Sequence, residues 1–299
     1  MHRPPLLAAG ARVALVSPAG PLRGAADLDR AVQNARDFGW EPVVGEHALA
    51  RQGYFAGPDD ARLADLNRAL AADDVDGVWC VRGGYGAMRL LEGIDYAALA
   101  RHPKALVGYS DITALHAAVG VRCGLVTFHG PTARADLTPF SRDALWRAVG
   151  CAGADPCGRA DGARTIRPGR ARGRLAGGNL ALVAALAGTA FAPVLDGAIL
   201  VLEDVNEAVY RVDRMLRQLL LAGLLRGCRA IVFGHCTSCA EESDDGARSL
   251  DDVLAEAAEL LDIPCLAGVP VGHIDDQWTL PLGADAEVDA EEGWVRVVS

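Results

Sequence analysis

Long apolar runs are absent from this 299-residue chain, so no helix able to cross a bilayer is expected, since that needs roughly 20 apolar residues in succession. Positive charge is scarce as well: 29 Lys and Arg against 39 Asp and Glu leave a formal charge of −10. That balance argues against nucleic acid or an anionic membrane as the principal partner. The opening Met1-His-Arg-Pro-Pro-Leu-Leu-Ala-Ala-Gly10 has a faintly basic start but too short an apolar stretch for a signal peptide. No internal repeat is visible. Eight cysteines are scattered through the chain, and only His235-Cys-Thr-Ser-Cys239 has the Cys-x-x-Cys spacing. Without a second such pair a structural zinc site is disfavoured, and the cysteines read as free packing thiols of a reducing cytoplasm.

What is present describes an ordinary globular protein: 51% apolar and 23% charged residues, in a chain long enough for two domains. Short apolar runs alternate with helical spacing over the first 130 residues or so. Ala11-Arg-Val-Ala-Leu-Val-Ser17 reads as a buried strand, Leu28 to Phe38 as a helix, and Glu41-Pro-Val-Val44 as a second strand. Asp59 to Leu70 is an amphipathic helix, and Val75-Asp-Gly-Val-Trp-Cys-Val81 is a strand ended by Arg82-Gly-Gly-Tyr-Gly86. This alternation predicts an α/β domain over residues 1–135 with a parallel sheet covered on both faces. Periodicity weakens from Thr132 to Arg172, and Arg159, Arg164, Arg167, Arg170, Arg172 and Arg174 crowd a turn-rich stretch; residues 136–172 are expected as a linker with a mobile basic face. Those arginines also suit an anionic substrate or another subunit. Residues 173–299 are expected to form a second domain, of mixed α/β type. Its buried strands are Gly197-Ala-Ile-Leu-Val-Leu202 and Ala230-Ile-Val-Phe-Gly234, and it closes on a hairpin from Ala286 to Val298.

The densest signal is Ala105-Leu-Val-Gly-Tyr-Ser-Asp-Ile-Thr-Ala-Leu-His116. A strand ends at Gly108-Tyr109, a helical pattern starts at Asp111, and Ser110 falls on the tight turn between them. There its hydroxyl projects beside helix N–H groups that have no backbone partner and that favour developing negative charge. The local Gly-x-Ser-Asp is not the Gly-x-Ser-x-Gly of the hydrolase elbow, and an N-cap is the competing role for this serine. In a parallel sheet, ligands bind beyond the carboxyl ends of the strands, where Ser17-Pro-Ala-Gly20, Arg82-Gly-Gly-Tyr-Gly86 and Ser110 all fall.

A serine nucleophile needs a base, and the base needs a group to fix its tautomer. His2, His47 and His102 stand in poor contexts, and His116 lies inside the helix after Ser110. His129 and His235 each follow a strand, and His273 follows Val269-Pro-Val271 at the head of a long polar segment. Glu203 and Asp204 stand where an apolar strand ends, suiting a partly desolvated carboxylate held by a histidine. They suit equally a solvated strand end paired with Arg211 or Arg214.

Seven motifs extend the pattern: Val13-Ala-Leu-Val-Ser-Pro-Ala-Gly20, Arg82-Gly-Gly-Tyr-Gly86, Val107-Gly-Tyr-Ser-Asp-Ile-Thr-Ala-Leu115, Phe128-His-Gly-Pro131, Gly177-Gly-Asn-Leu180, Leu202-Glu-Asp-Val205, and Gly272-His273 followed by Thr279-Leu-Pro-Leu-Gly283. In this order, over about residues 11 to 289, the chain resembles the LD-carboxypeptidases. These serine peptidases (muramoyltetrapeptide carboxypeptidases) include the microcin C immunity peptidases. The resemblance implies a Ser110–His273–Glu203 triad in a cleft between two domains. It also implies an oxyanion hole from the backbone N–H groups of Gly84 and Asp111. It implies release of the terminal D-alanine of murein tetrapeptides in the cytoplasm during wall recycling, by a homodimer using no metal and no cofactor. Two other functions remain open: an amidase of the microcin-immunity kind with Trp146 as a base platform, and a non-catalytic sensor of murein fragments or a nucleotide.

Overall fold

The β-branched and aliphatic runs of the first 130 residues become five parallel strands: β1 (Arg12–Val16), β2 (Glu41–Val44), β3 (Gly77–Cys80), β4 (Ala105–Gly108) and β5 (Thr127–His129). This is a computed structural model that describes residues 1–239 and 248–298. The helices connecting them are α1 (Ala25–Asp37), α2 (Asp59–Ala71), α3 (Tyr96–Arg101) and α4 (Thr113–Cys123). Successive strand residues face opposite ways, so both sets must be apolar if both faces are covered. Ala14, Val16, Val78 and Leu106 pack beneath α2, α3 and α4, while Val13, Leu15, Trp79 and Val107 pack beneath α1 and α5 (Pro139–Val149). Each fully buried Val or Leu contributes roughly 1.5–3 kcal/mol relative to an exposed one.

The second sheet has a parallel centre of β8 (Arg170–Asn179), β9 (Ala198–Val205), β10 (Ala230–Thr237) and β11 (Cys265–Ala267). Antiparallel strands complete it: β7 (Arg164–Arg167) beside β11, then β13 (Asp285–Asp289), β14 (Trp294–Val297) and β6 (Gly158–Arg159) beyond β8. Helices α6 (Leu180–Ala185), α7 (Val209–Leu221) and α8 (Leu250–Leu261) bury Leu216, Leu219 and Leu254 against Leu200, Leu202, Ile231 and Phe233. Helix α8 starts at a reciprocal cap: the Ser249 hydroxyl accepts from the Asp252 N–H, and the Asp252 carboxylate accepts from the Ser249 N–H.

Three expectations need correcting. The first sheet is not wholly parallel, nor made only from the first 135 residues. Strand β12 (Leu280–Leu282) returns to its edge antiparallel to β5, pairing Leu280 with His129 and Leu282 with Thr127. Its Pro281 is tolerated there because an edge strand has one ladder to spare. The stretch expected as a linker carries α5, whose Thr138 cap accepts from Ser141 N–H, and then β6, β7 and the start of β8. Its arginines hide the strand pattern because they are held as ion pairs: Arg164 with Asp251 at 2.7 Å, Arg167 with Asp262, and Arg170 with Asp289 at 2.6 Å. Lastly, Cys236 and Cys239 form a disulfide, while the other six cysteines are free. Among the described residues no helix is long and apolar enough to cross a membrane.

Candidate active site

Ser110 follows β4 on a 3-10 turn, Ser110–Ile112, that feeds directly into α4. Its φ of +63° is left-handed, a conformation that costs a non-glycine residue roughly 1–3 kcal/mol and persists only when its surroundings enforce it. The enforcement is visible. The buried Asp111 carboxylate accepts from the Ala87 N–H at 2.8 Å, and the Ile112 N–H donates to the Tyr109 carbonyl at 3.3 Å. Burial raises the Asp111 carboxyl above the usual range, with the Ala87 hydrogen bond opposing. The residue after Ser110 therefore ties the serine turn to the glycine-rich loop that follows β3.

That loop lies against Ser110. A Cβ on Gly83 would stand 2.9 Å from Ser110 Cβ and 3.2 Å from its Oγ, so only glycine permits the approach. Gly84, at φ +113°, abuts Gly20 of the loop after β1. Among the described residues neither the Gly84 N–H nor the Asp111 N–H donates to a protein acceptor. Arg62 fastens both loops from below: its buried guanidinium donates to the Pro18 carbonyl and, at 3.1 Å, to the Gly86 carbonyl.

Glu203 occupies β9 with no exposed surface, and Asp204 after it is also buried, so neither belongs to a solvated strand end. Arg211 pairs instead with Glu207, at 3.6 Å. His273 lies between β11 and β12 and is half-buried. Its Nδ1 is 2.8 Å from Glu203 Oε2. With Nδ1–H donating to the carboxylate, the lone pair is left on Nε2, the arrangement of a general base. Gly272 makes that contact possible: at φ +119° a Cβ there would come within 3.1 Å of Glu203 Oε2. The Thr237 hydroxyl donates to the His273 carbonyl at 3.0 Å, holding the loop to β10.

Serine turn and histidine loop meet at Tyr109, whose ring centroid is 4.9 Å from that of His273. Asn179 stitches the sheets together a turn away, its N–H donating to Thr113 Oγ1 at 2.9 Å and its side chain to Asp204 at 3.0 Å. Burial pushes the Asp204 carboxyl up to about 6. Among the described residues no hydrogen bond joins Ser110 Oγ to His273; catalytic contacts of this kind often tighten only around substrate.

The other histidines stand elsewhere. His116 is buried with Nε2 against the Gly108 carbonyl at 2.8 Å, and His129 is buried with both ring nitrogens unpartnered. Burial pulls them down to about 4 and about 3, so both are neutral near pH 7. His235 is exposed and His47 faces Asp65 at 3.0 Å. Trp146 stacks on Phe38 with centroids 6.3 Å apart, packed against the first core. Arg62 was not singled out in the sequence, and Tyr109, Asn179 and Asp204 stand in its motifs without their contacts being legible, because nothing in their spacing announces contacts between loops. Among the described residues no group of three or more His, Cys, Asp or Glu is placed to hold a metal.

Residues 13–130 match the LD-carboxypeptidase N-terminal domain and residues 172–288 the LD-carboxypeptidase C-terminal domain. The chain is 37% identical over 296 residues to the murein tetrapeptide carboxypeptidase of Pseudomonas aeruginosa, covering 93% of each. It is 32% identical to the crystal structure of muramoyltetrapeptide carboxypeptidase from Oxalobacter formigenes, with a TM-score of 0.86 over 96% of this chain and 98% of that one. The fold is shared with MccF in complex with glutamyl sulfamoyl guanosine at a TM-score of 0.88 and 24% identity, over 99% and 98% of the two chains.

Proposed function

This chain belongs to the LD-carboxypeptidase family, a serine-type carboxypeptidase hydrolase, and on that premise we propose that it removes the terminal D-alanine from murein tetrapeptides. The observation that carries the reading is the buried Glu203 fixing His273 at 2.8 Å beside a serine held at φ +63°. In this mechanism His273 Nε2 takes the Ser110 proton as Oγ bonds to the carbonyl carbon of the L,D-peptide bond. The N–H groups of Gly84 and Asp111 donate to the oxyanion. As the C–N bond breaks, the imidazolium returns its proton to the leaving D-alanine nitrogen. Water, deprotonated by His273, then attacks the acyl carbon, and Oγ leaves with that proton. Glu203 holds the tautomer and steadies the imidazolium throughout.

The same proposal divides the chain into a nucleophile domain over residues 1–135 and a Glu- and His-bearing domain over 173–299, supported by β1 to β5 lying in one sheet and β8 to β11 in the other, with β12 as the strand that crosses back. It places a homodimer in the cytoplasm, in wall recycling. An amidase with Trp146 as base platform is not favoured, since Phe38 already covers that ring. The test is D-alanine release from a murein tetrapeptide by wild type and Ser110→Ala. Release confined to the wild type supports the reading, and an active Ser110→Ala protein overturns it.

A further inference from the structure

In a chain of net charge −10, arginines gather beside the candidate oxyanion loop. The Arg82 guanidinium donates to the Pro21 carbonyl and lies 3.8 Å from where a Cβ on Gly20 would stand, on the residue against which Gly84 packs. Arg51 reaches the next carbonyl, Leu22, at 3.3 Å. Arg134 starts from the top of β3, its N–H donating to the Val81 carbonyl, and extends to 3.7 Å from Asp27. Arg23 also belongs to this turn, its N–H donating to Asp27 at 3.0 Å. Among the described residues only the Arg134 guanidinium is paired with the Asp27 carboxylate, while the charges of Arg134, Arg23 and Arg51 all act on Arg82. Arg134 Nε is buried without a partner, an arrangement that is costly unless an anion meets that side chain. Burial draws the Arg82 guanidinium below its ordinary value; Arg134, Arg23 and Arg51 press the same way, and Asp27 opposes them.

Which anion fits follows from bond lengths. In a peptide whose last residue is released, the terminal carboxyl carbon lies three bonds from the scissile carbonyl carbon, within about 4 Å. Any subsite for it must therefore adjoin the oxyanion loop, as Arg82 does. Guanidinium forks bind carboxylates with two parallel hydrogen bonds.

We propose that Arg82 and Arg134, with Arg23 and Arg51 raising the local positive potential, form the subsite for the free α-carboxylate of the departing residue. The inference rests on Ser110 being the nucleophile and explains why cleavage is restricted to the chain end. Arg134 is the position to test, because Arg82 also holds the Pro21 turn. Turnover is measured on a murein tetrapeptide ending in D-alanine and on the same peptide ending in D-alaninamide. Wild type should favour the acid, and Arg134→Gln should lower kcat/KM on the acid roughly 10–100-fold, the scale of a charge-assisted contact, mainly through KM. The amide should change little, and Arg134→Lys should restore part of the preference. An acid-to-amide ratio unchanged by Arg134→Gln overturns the subsite while leaving the nucleophile standing. Calorimetric titration of both peptides into Ser110→Ala protein, with and without Arg134→Gln, separates the two ideas. An acid preference that Arg134→Gln abolishes supports the subsite even where neither peptide is turned over, and equal binding of acid and amide overturns it.

Discussion

Two neutral histidines buried under the site should make this fold sensitive to mild acid, and the size of the effect can be worked out. His116 and His129 are pulled down to about 4 and about 3 in the folded chain, whereas an unfolded histidine titrates near 6.5. Below that value the unfolded state binds protons that the folded state refuses, so stability falls as pH falls, by about 1.4 kcal/mol per unit for each ring. Between pH 7.5 and pH 5 the pair should cost about 4 kcal/mol. Asp204, raised to about 6, works the other way: its folded form takes up a proton first and returns about 1 kcal/mol by pH 5. Asp111, also raised by burial, acts in the same sense. The expected net loss is about 3 kcal/mol or somewhat less, read as the urea unfolding free energy at each pH. His129→Leu supplies the control. Both ring nitrogens of His129 lack partners, so the substitution should be nearly neutral at pH 7.5. At pH 5 the variant should exceed wild type by about 2 kcal/mol. If wild type and variant lose equal stability on acidification, the assignment of the acid sensitivity to His129 is wrong.

Glu203→Gln should lower kcat roughly 10²–10⁴-fold with KM within about threefold and the circular dichroism spectrum intact, since the carboxylate holds the tautomer; a loss below tenfold would remove Glu203 from the mechanism. Gly272→Ala forces a Cβ to 3.1 Å from Glu203 Oε2 at φ +119°, and should cost roughly 1–3 kcal/mol in thermal unfolding along with most of the activity. Phe233→Ala, in the second core and fully buried, should destabilise by roughly 3–5 kcal/mol in urea without changing kcat of the folded fraction.

Much of the first sheet was legible because a parallel strand covered on both faces must be apolar at every position, and such runs stand out, as at Ala105-Leu-Val-Gly108. The serine turn was legible for a related reason: strand and helix periods meet with a single residue between them. Glu203 and His273 were different. They are 70 residues apart, brought together by strand order in the second sheet, and only a sequence of motifs, not spacing, singled them out. Strand β12 was missed because its partner lies some 150 residues earlier, and α5 because its eleven residues mix apolar and charged side chains between two turn-rich stretches. The disulfide was missed because Cys-x-x-Cys alone does not say whether the thiols meet.

The return of β12 to the first sheet has a consequence for how the protein comes into being. A ribosome releases Ser110 and its glycine loops long before it releases His273, and the strand that closes this sheet, Leu280–Leu282, emerges later still. Until then the Ser110 hydroxyl lacks the histidine that the proposed mechanism gives it as a base. The histidine loop runs between β11 of one sheet and β12 of the other, so both of its ends are anchored only once those strands have paired. On the proposed mechanism, Ser110 and His273 can therefore come together only after strands of both sheets have paired.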